Sequence, residues 1–352
     1  MNTIDIHAHF FPEAWIRLLV SEGPAHGATM GKNAEGAVTF AFPSNAPSGR
    51  GANTFPSGEG TRVREGGGIK QVFLKGFIDI GVRLQHMDAV GLDMHCLSLT
   101  TPMVNWATPE FGLKLAQVYN DACSEACVKH PKRFIGMAVI PMQAPHLAVQ
   151  ELTRAASLPG MRGLYMGTHI NKQNLDEKAF YPVWAKCQEL GWPVFLHPLD
   201  PLHAERLDKY YLRNVIGFPY ATAIAVASLI FGGVMDAFPE LNVVLPHAGG
   251  MFPPLAGRWD HGNHQKEEMQ GCKLHPSEYL RRFYYDTIAH NDAYMHHVIR
   301  EVGIDRIVMG SDYCFGIGDD HPVATVNRFA ASLSGAEREM ILGTNAATLL
   351  KL

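Results

Sequence analysis

A chain of 352 residues, 47% of them hydrophobic, is long enough to bury a large core; length alone suggests about two domains, but α/β barrels run well past 200 residues as one. A formal net charge of -4 with no long block of like charge argues against nucleic acid or an anionic membrane as partner. Six scattered cysteines without a paired CxxC framework, and no basic-then-apolar leader pattern, suit reduced thiols in a cytoplasmic protein.

Short apolar, β-branched runs recur along the chain. They are "TIDI" (3–6), "MHCLSL" (94–99), "FIGMAVI" (134–140), "GLYM" (163–166), "PVFL" (193–196), "NVVL" (242–245), "FYYD" (283–286) and "RIVM" (306–309). Helix-period segments lie between most of them. One is "PEFGLKLAQVYNDACSEACVKH"; another is "LDEKAFYPVWAKCQELG", with Asp176 as a predicted N-cap and Gly191 as a predicted stop. The apolar "ATAIAVASLIFGGVMDAF" is short and rich in small residues, and reads as a buried helix rather than a membrane span. Strands alternating with helices imply βαβ units and a parallel sheet. Eight such strands predict one (β/α)8 barrel domain over 1–352. A Gly-, Ser-, Pro- and Asn-rich stretch at 21–70 breaks the alternation. It follows the first strand, so it predicts an insertion over 21–78 that acts as a lid on the barrel mouth.

The active site of such a barrel lies at the C-terminal ends of its strands. The first predicted strand runs into "HAH", and alternation points His7 and His9 the same way. Two imidazoles a few ångströms apart can grip one metal ion. The fifth strand ends at His197, the sixth at His247 and the eighth at Asp312. Buried unpaired, these groups would cost several kcal/mol each, so a shared ligand explains them better than packing does. Asp286 ends the seventh strand and ranks below Asp312 as a ligand.

The residues also resemble a known family. HxH after strand 1, His after strands 5 and 6, and Asp after strand 8 is the pattern of the amidohydrolase superfamily. Within it the chain is similar to the 2-amino-3-carboxymuconate-6-semialdehyde decarboxylase group, through "IDIHAHFFP", "RLQHMDAVGLD", "GFPYATAIAVASLIFGGVMDAFPELNVVLPHAGGMFP", "GRWDHG" and "VMGSDYCFGIGD" among other stretches. The resemblance implies that His7, His9, His197 and Asp312 hold one divalent ion, Zn2+ first and Mn2+ as the alternative. It implies that His247, with Asp312, carries the acid–base chemistry. Strand 4 reads "RGLYMGTH", without the lysine that a second metal in this superfamily usually needs, so the site is expected to be mononuclear.

The substrate shell departs from the pattern. Where the family has an arginine for the substrate carboxylate, counting back from Arg83 reaches Lys70; Arg62 and Arg64 remain candidates. Leu199 stands where the family has tryptophan, and Cys314 and Gly316 where it has two prolines. Arg258 matches a family arginine that crosses a dimer interface, implying a homodimer. His169, Phe252 and Phe315 are further candidate substrate contacts. Together these imply a zinc-dependent, non-oxidative decarboxylase of a small unsaturated or hydroxylated aromatic or pyridine carboxylate. A dihydroxypicolinate, a dihydroxybenzoate or the aminocarboxymuconate semialdehyde would fit. The competing reading is a hydrolase of an amide, lactone or C–C bond at the same site, and after it a non-catalytic metal-binding scaffold.

Overall fold

The structure, a computed structural model, describes residues 2–32, 38–43, 68–72, 75–199, 201 and 206–352, with backbone alone at 29–32, 38–43 and 68–72. Its strands are β1 (Ile4–His9), β2 (Thr29–Lys32), β3 (Val38–Pro43), β4 (Gly68–Val72), β5 (Met94–Ser98), β6 (Phe134–Ala138), β7 (Met161–Gly167), β8 (Val194–His197), β9 (Val243–Leu245) and β10 (Phe283–Tyr285). Seven of them form one sheet in the order β1-β5-β6-β7-β8-β9-β10, with every pairing parallel. These are the first seven predicted barrel strands.

The eighth position is filled differently from expectation. Residues 307–313 form no regular strand, yet they join both edges of the sheet. Val308 N–H donates to Tyr285 C=O (2.9 Å), Ile6 N–H donates to Met309 C=O (2.9 Å), and Asp312 N–H donates to His7 C=O (2.8 Å). The ladder fails here because the backbone turns: Asp312 has φ 61, and the Ser311 N–H is taken by the Asp5 carboxylate at 3.1 Å. The sheet therefore closes through single bridges, Tyr285 to Ile307 and Ala8 to Tyr313.

β1 contains an irregularity that decides the site. Its register against β5 shifts between Asp5 and Ala8, so three steps on β1 match two on β5. An extra residue reverses which side chains face inward. Ile4 and Ile6 lie in the barrel interior with Met94, Cys96, Ile135, Met137, Tyr165, Phe195, Val244 and Val308. Without the bulge, His7 and His9 would face away from that interior. The Asp5 carboxylate takes the freed His7 N–H at 2.9 Å.

Helices cover the outside of the sheet over a second, larger apolar cluster. α1 (Glu13–Glu22), α2 (Lys75–Ile78), α3 (Ile80–Val90), α4 (Pro109–Lys129), α5 (Pro145–Ala155) and α6 (Tyr181–Leu190) come first. Asp79 caps α3 by accepting from Val82 N–H at 3.1 Å. α6 stops at Gly191 (φ 61), as expected, but it does not start at Asp176: Pro182 near its N-terminus sets the start, after a 3-10 turn over Lys178–Phe180. α7 (Phe218–Phe231) and α8 (Val234–Ala237) divide the long apolar stretch at Gly232 and Gly233. By length and composition alone the helical run Arg213–Phe231 could cross a bilayer. Its Ala225, Val226, Leu229 and Ile230 are buried in the core. α9 (Phe252–Gln265), α10 (Asp292–Val302), α11 (Pro322–Phe329), α12 (Gly335–Glu339) and α13 (Asn345–Leu350) complete the order. The described ends of the Gly-rich stretch are not featureless: β2, β3 and β4 pair antiparallel as a separate sheet.

A candidate metal centre at the barrel mouth

His7 and His9 end β1, His197 ends β8, His247 follows β9, and Asp312 lies near the end of the eighth segment. Asp312 lies at their centre. Its Oδ1 is 2.7 Å from His9 Nε2, 3.2 Å from His7 Nε2 and 3.8 Å from His197 Nε2; its Oδ2 is 3.7 Å from His247 Nε2. One donor atom each from His7, His197, His247 and Asp312 falls within 4.8 Å of all the others. His9 joins this group through Asp312, and its ring centroid is 5.0 Å from those of both His7 and His197.

Neighbours hold the imidazoles in orientation. His7 Nδ1 meets Asp286 Oδ2 at 2.8 Å, and Asp286 Oδ1 accepts from Ala248 N–H at 2.8 Å. His197 Nδ1 lies 3.0 Å from the Pro198 carbonyl, which only accepts, so Nδ1 carries the hydrogen and Nε2 keeps its lone pair. His9 Nδ1 meets Ser98 Oγ at 3.2 Å and Tyr165 OH at 3.4 Å. Nε2 of both His7 and His197 is buried without a hydrogen-bond partner. Orphaned imidazole nitrogens aimed at one carboxylate are what an N/O metal site presents, so these residues fit a divalent ion.

Electrostatics agree. Burial works against a charged Asp312, but the His7 charge and the neighbouring imidazoles outweigh it and hold the carboxyl well below its usual range. Burial first, and then the charge of neighbouring groups (His7 and His9 on His197, His7 and Arg83 on His9), pushes His197 far down and His9 down to about 4, so both stand as neutral donors. Burial also pulls on His7, but the Asp312 charge and the Asp286 bond raise it to about 10. The two buried carboxylates thus call for a positive charge between them.

Asp286 was the residue ranked below Asp312, and its place explains why: it orients His7 instead of facing the cluster. Sequence reading missed a second buried group. Arg83 of α3 is fully buried and donates to the His9 carbonyl, with the Gly76 carbonyl at 3.3 Å and His95 Nδ1 at 3.1 Å. Its guanidinium lies 4.8 Å from the Tyr313 ring centroid. His95 Nε2 faces Asp5 at 3.3 Å, so Asp5, His95 and Arg83 buttress β1 from outside the barrel. Asp5 in "DIHAH" was the available signal, since a charge amid a buried strand needs partners.

The predicted substrate contacts separate. Phe315 lies beside the cluster, 5.1 Å from the His9 ring. Leu199 packs against the end of β7 at Gly167. His169 is half-buried, and its Nδ1 accepts from Lys172 N–H at 3.3 Å, a turn contact. Phe252 is a correction: it is fully buried in the core, stacked on Trp259 at 4.9 Å and against Phe283 at 5.7 Å. Apolar packing claims it because it opens α9 facing the sheet. Arg258 is exposed on α9. Lys70 lies in β4 opposite Ala41, its side chain outside the description; Arg62 and Arg64 lie outside the described residues. A cavity of about 280 Å³ opens above the cluster, with His247 and Asp312 in its wall.

Comparison with known proteins agrees with this geometry. The amidohydrolase family matches residues 4–352. A 2-amino-3-carboxymuconate-6-semialdehyde decarboxylase from Dictyostelium discoideum is 33% identical over 277 residues, covering 78% of this chain and 77% of that one. A gamma-resorcylate decarboxylase from Rhizobium radiobacter is 30% identical over 292 residues, covering 77% and 86%. The crystal structure of a dihydroxybenzoic acid decarboxylase from Polaromonas, with bound manganese and the inhibitor 2-nitroresorcinol, superposes with a TM-score of 0.77 at 26% identity, covering 100% and 98%. From its first strand to its last helix, the chain belongs to the amidohydrolase family and resembles its aminocarboxymuconate semialdehyde decarboxylase group.

Proposed function

We propose that this chain is a divalent-metal-dependent, non-oxidative decarboxylase of a small aromatic or otherwise conjugated carboxylic acid. The observation that carries the reading is Asp312 among four imidazoles, in a family whose similar members are decarboxylases. His7, His9, His197 and Asp312 would hold one ion. The three-imidazole, one-carboxylate donor set suits Zn2+; the manganese of the Polaromonas relative makes Mn2+ the alternative.

When bound, the ion supplies Lewis acidity that polarises substrate oxygens. The chain's own residues do the rest. His247 stands in the cavity wall beside Asp312 and delivers a proton to the carbon that bears the carboxylate. The bond from that carbon to the carboxylate then breaks. Its electron pair returns to the conjugated system and CO2 leaves. A carboxylate and a proton become a C–H and CO2, so no oxidant enters and no water is consumed. Asp312 holds His247 in position, and Phe315 flanks the metal side.

The same reading assigns the substrate carboxylate to Lys70, Arg62 or Arg64. It makes the protein a cytoplasmic homodimer in which Arg258, exposed on α9, reaches the neighbouring site. The 21–78 insertion acts as the lid. Dihydroxybenzoates, dihydroxypicolinates and aminocarboxymuconate semialdehyde are the substrates to try first. The test is metal content of the purified protein, followed by an ultraviolet assay for CO2 release from these acids. About one ion per chain, with CO2 released at a rate abolished by chelation and restored by Zn2+ or Mn2+, is expected. One ion without CO2 release from any of the acids would overturn the decarboxylase reading in favour of hydrolysis.

A further inference from the structure

The cavity above the metal centre has a second polar end. Its volume of about 280 Å³ lies just below the ~300–1,000 Å³ usual for small-molecule sites, room for one ring and its substituents. His247 and Asp312 form the reactive end. Asn214, His290 and Tyr294 are the other polar residues in the wall, and the remainder includes Val215, Ile288 and Ile317.

His290 shares an unusual backbone with the two residues at the reactive end. Ten described non-glycine residues have positive φ, and three of them line this one cavity: His247 (φ 54), His290 (φ 51) and Asp312 (φ 61). They lie at the C-terminal side of three consecutive barrel positions: after β9, after β10 and near the end of the eighth segment. Left-handed backbone is costly for a side-chain-bearing residue and persists where the surroundings impose it, most often at functional sites.

The ring of His290 is also set. Its Nε2 lies 2.9 Å from the Ile317 carbonyl. A carbonyl only accepts, so Nε2 carries the hydrogen. With Nε2 donating, Nδ1 is the ring atom left to make a second hydrogen bond. His290 is exposed, so it stands at the open rim of the cavity, where an acceptor would favour a ligand with a hydrogen-bond donor at its outer edge.

We propose that His290 is a specificity-determining residue whose Nδ1 accepts a hydrogen bond from a ring hydroxyl of the substrate, on the edge away from the carboxylate that is lost. This rests on the decarboxylase reading and deepens it. One neutral hydrogen bond corresponds to about a two- to tenfold preference.

The experiment compares metal-loaded wild-type protein with His290→Phe and His290→Gln. Each is given a panel of mono- and dihydroxylated benzoates and picolinates, and kcat and KM are read from CO2 release. In the wild type, one dihydroxylated acid is expected to exceed its counterpart lacking that hydroxyl by up to about tenfold in kcat/KM, carried mainly by KM. In His290→Phe this gap closes, while His290→Gln, which still accepts a hydrogen bond, keeps part of it. Inhibition by resorcinol against phenol should show the same closure without turnover. If His290 only ties the loop to Ile317, His290→Phe will slow every acid alike and leave the gap intact, which overturns the proposal. A wild type that releases CO2 with no preference for any hydroxyl also overturns it. No CO2 from any acid removes the decarboxylase reading, and this inference with it.

Discussion

Asp312 has two oxygens to share among four imidazoles, and its neighbours settle which role each ring can play. His7 and His197 have their Nδ1 atoms engaged and their Nε2 atoms free and buried. For His197 that is the ligand form; at His7 a metal ion would have to displace the proton that Asp312 and Asp286 favour. His247 is tied least, with Nε2 3.7 Å from Asp312 and Nδ1 unpartnered, which suits a group that moves protons. Replacing it tests the division of labour: His247→Gln is expected to lower kcat about 10²- to 10⁴-fold while the metal content of the purified protein stays unchanged. Loss of metal with loss of activity would make His247 a ligand instead. Asp286 acts one step further out. Asp286→Asn removes the charge that aligns His7, and the metal affinity, read by competition with a chelator, should fall about 10- to 100-fold.

Two elements bring these side chains together. The bulge in β1 turns His7 and His9 into the barrel, and Arg83 of α3 clasps the His9 carbonyl from behind. The eighth segment approaches β1 closely at Gly310. A Cβ there would meet the Cβ atoms of both His7 and Asp286 at 3.0 Å. Gly310→Ala must therefore move the ligand or its orienting partner, at a cost of about 1–3 kcal/mol. The expected result is a lower urea midpoint for the metal-free protein together with weakened metal binding. Unchanged metal affinity would show that β1 gives way without disturbing His7. Alternation in "IDIHAH" put the two histidines on one face, and their place at a strand end pointed that face into the barrel mouth, but nothing local showed that a bulge is what turns them there. Arg83 was hidden, because an arginine on a helix reads as solvent-facing; only its burial against Tyr313 and the His9 carbonyl reveals its role.

Across the whole molecule the two apolar clusters take in most of the thiols. All six cysteines are free; Cys96, Cys123, Cys127 and Cys187 are buried, and Cys272 and Cys314 are half-buried. Burial pushes Cys96 far up and raises Cys187, while hydrogen bonding to Cys123 leads the rise at Cys127. Cys314 is pushed up to about 12 by burial, and Cys272 is raised for the same reason. A thiol reacts as its thiolate. At pH 8 a thiol reagent should therefore modify at most Cys272 and Cys314 in the native protein, slowly, and all six after unfolding. Rapid modification of four or more would mean that the barrel opens readily. The antiparallel sheet of β2, β3 and β4 belongs to this scale as well. Its sequence reads as a Gly- and Ser-rich loop, because short strands with weak patterning gain their order from pairing partners rather than from propensity.

The sequence by itself determined the class of fold, seven of the eight barrel strands, and the residue types gathered at the mouth. Those follow from local patterning: apolar β-branched runs, helix periodicity, and polar groups placed where strands end. Tertiary structure alone decided the rest. It set the bulge that turns His7 and His9 inward, the irregular closure at 307–313, the orienting roles of Asp286 and Arg83, and the core position of Phe252. Each of these depends on a partner distant along the chain, such as Asp286 for His7 or His9 for Arg83. Local propensity says nothing about such pairs, because their energy exists only once the barrel has brought them together.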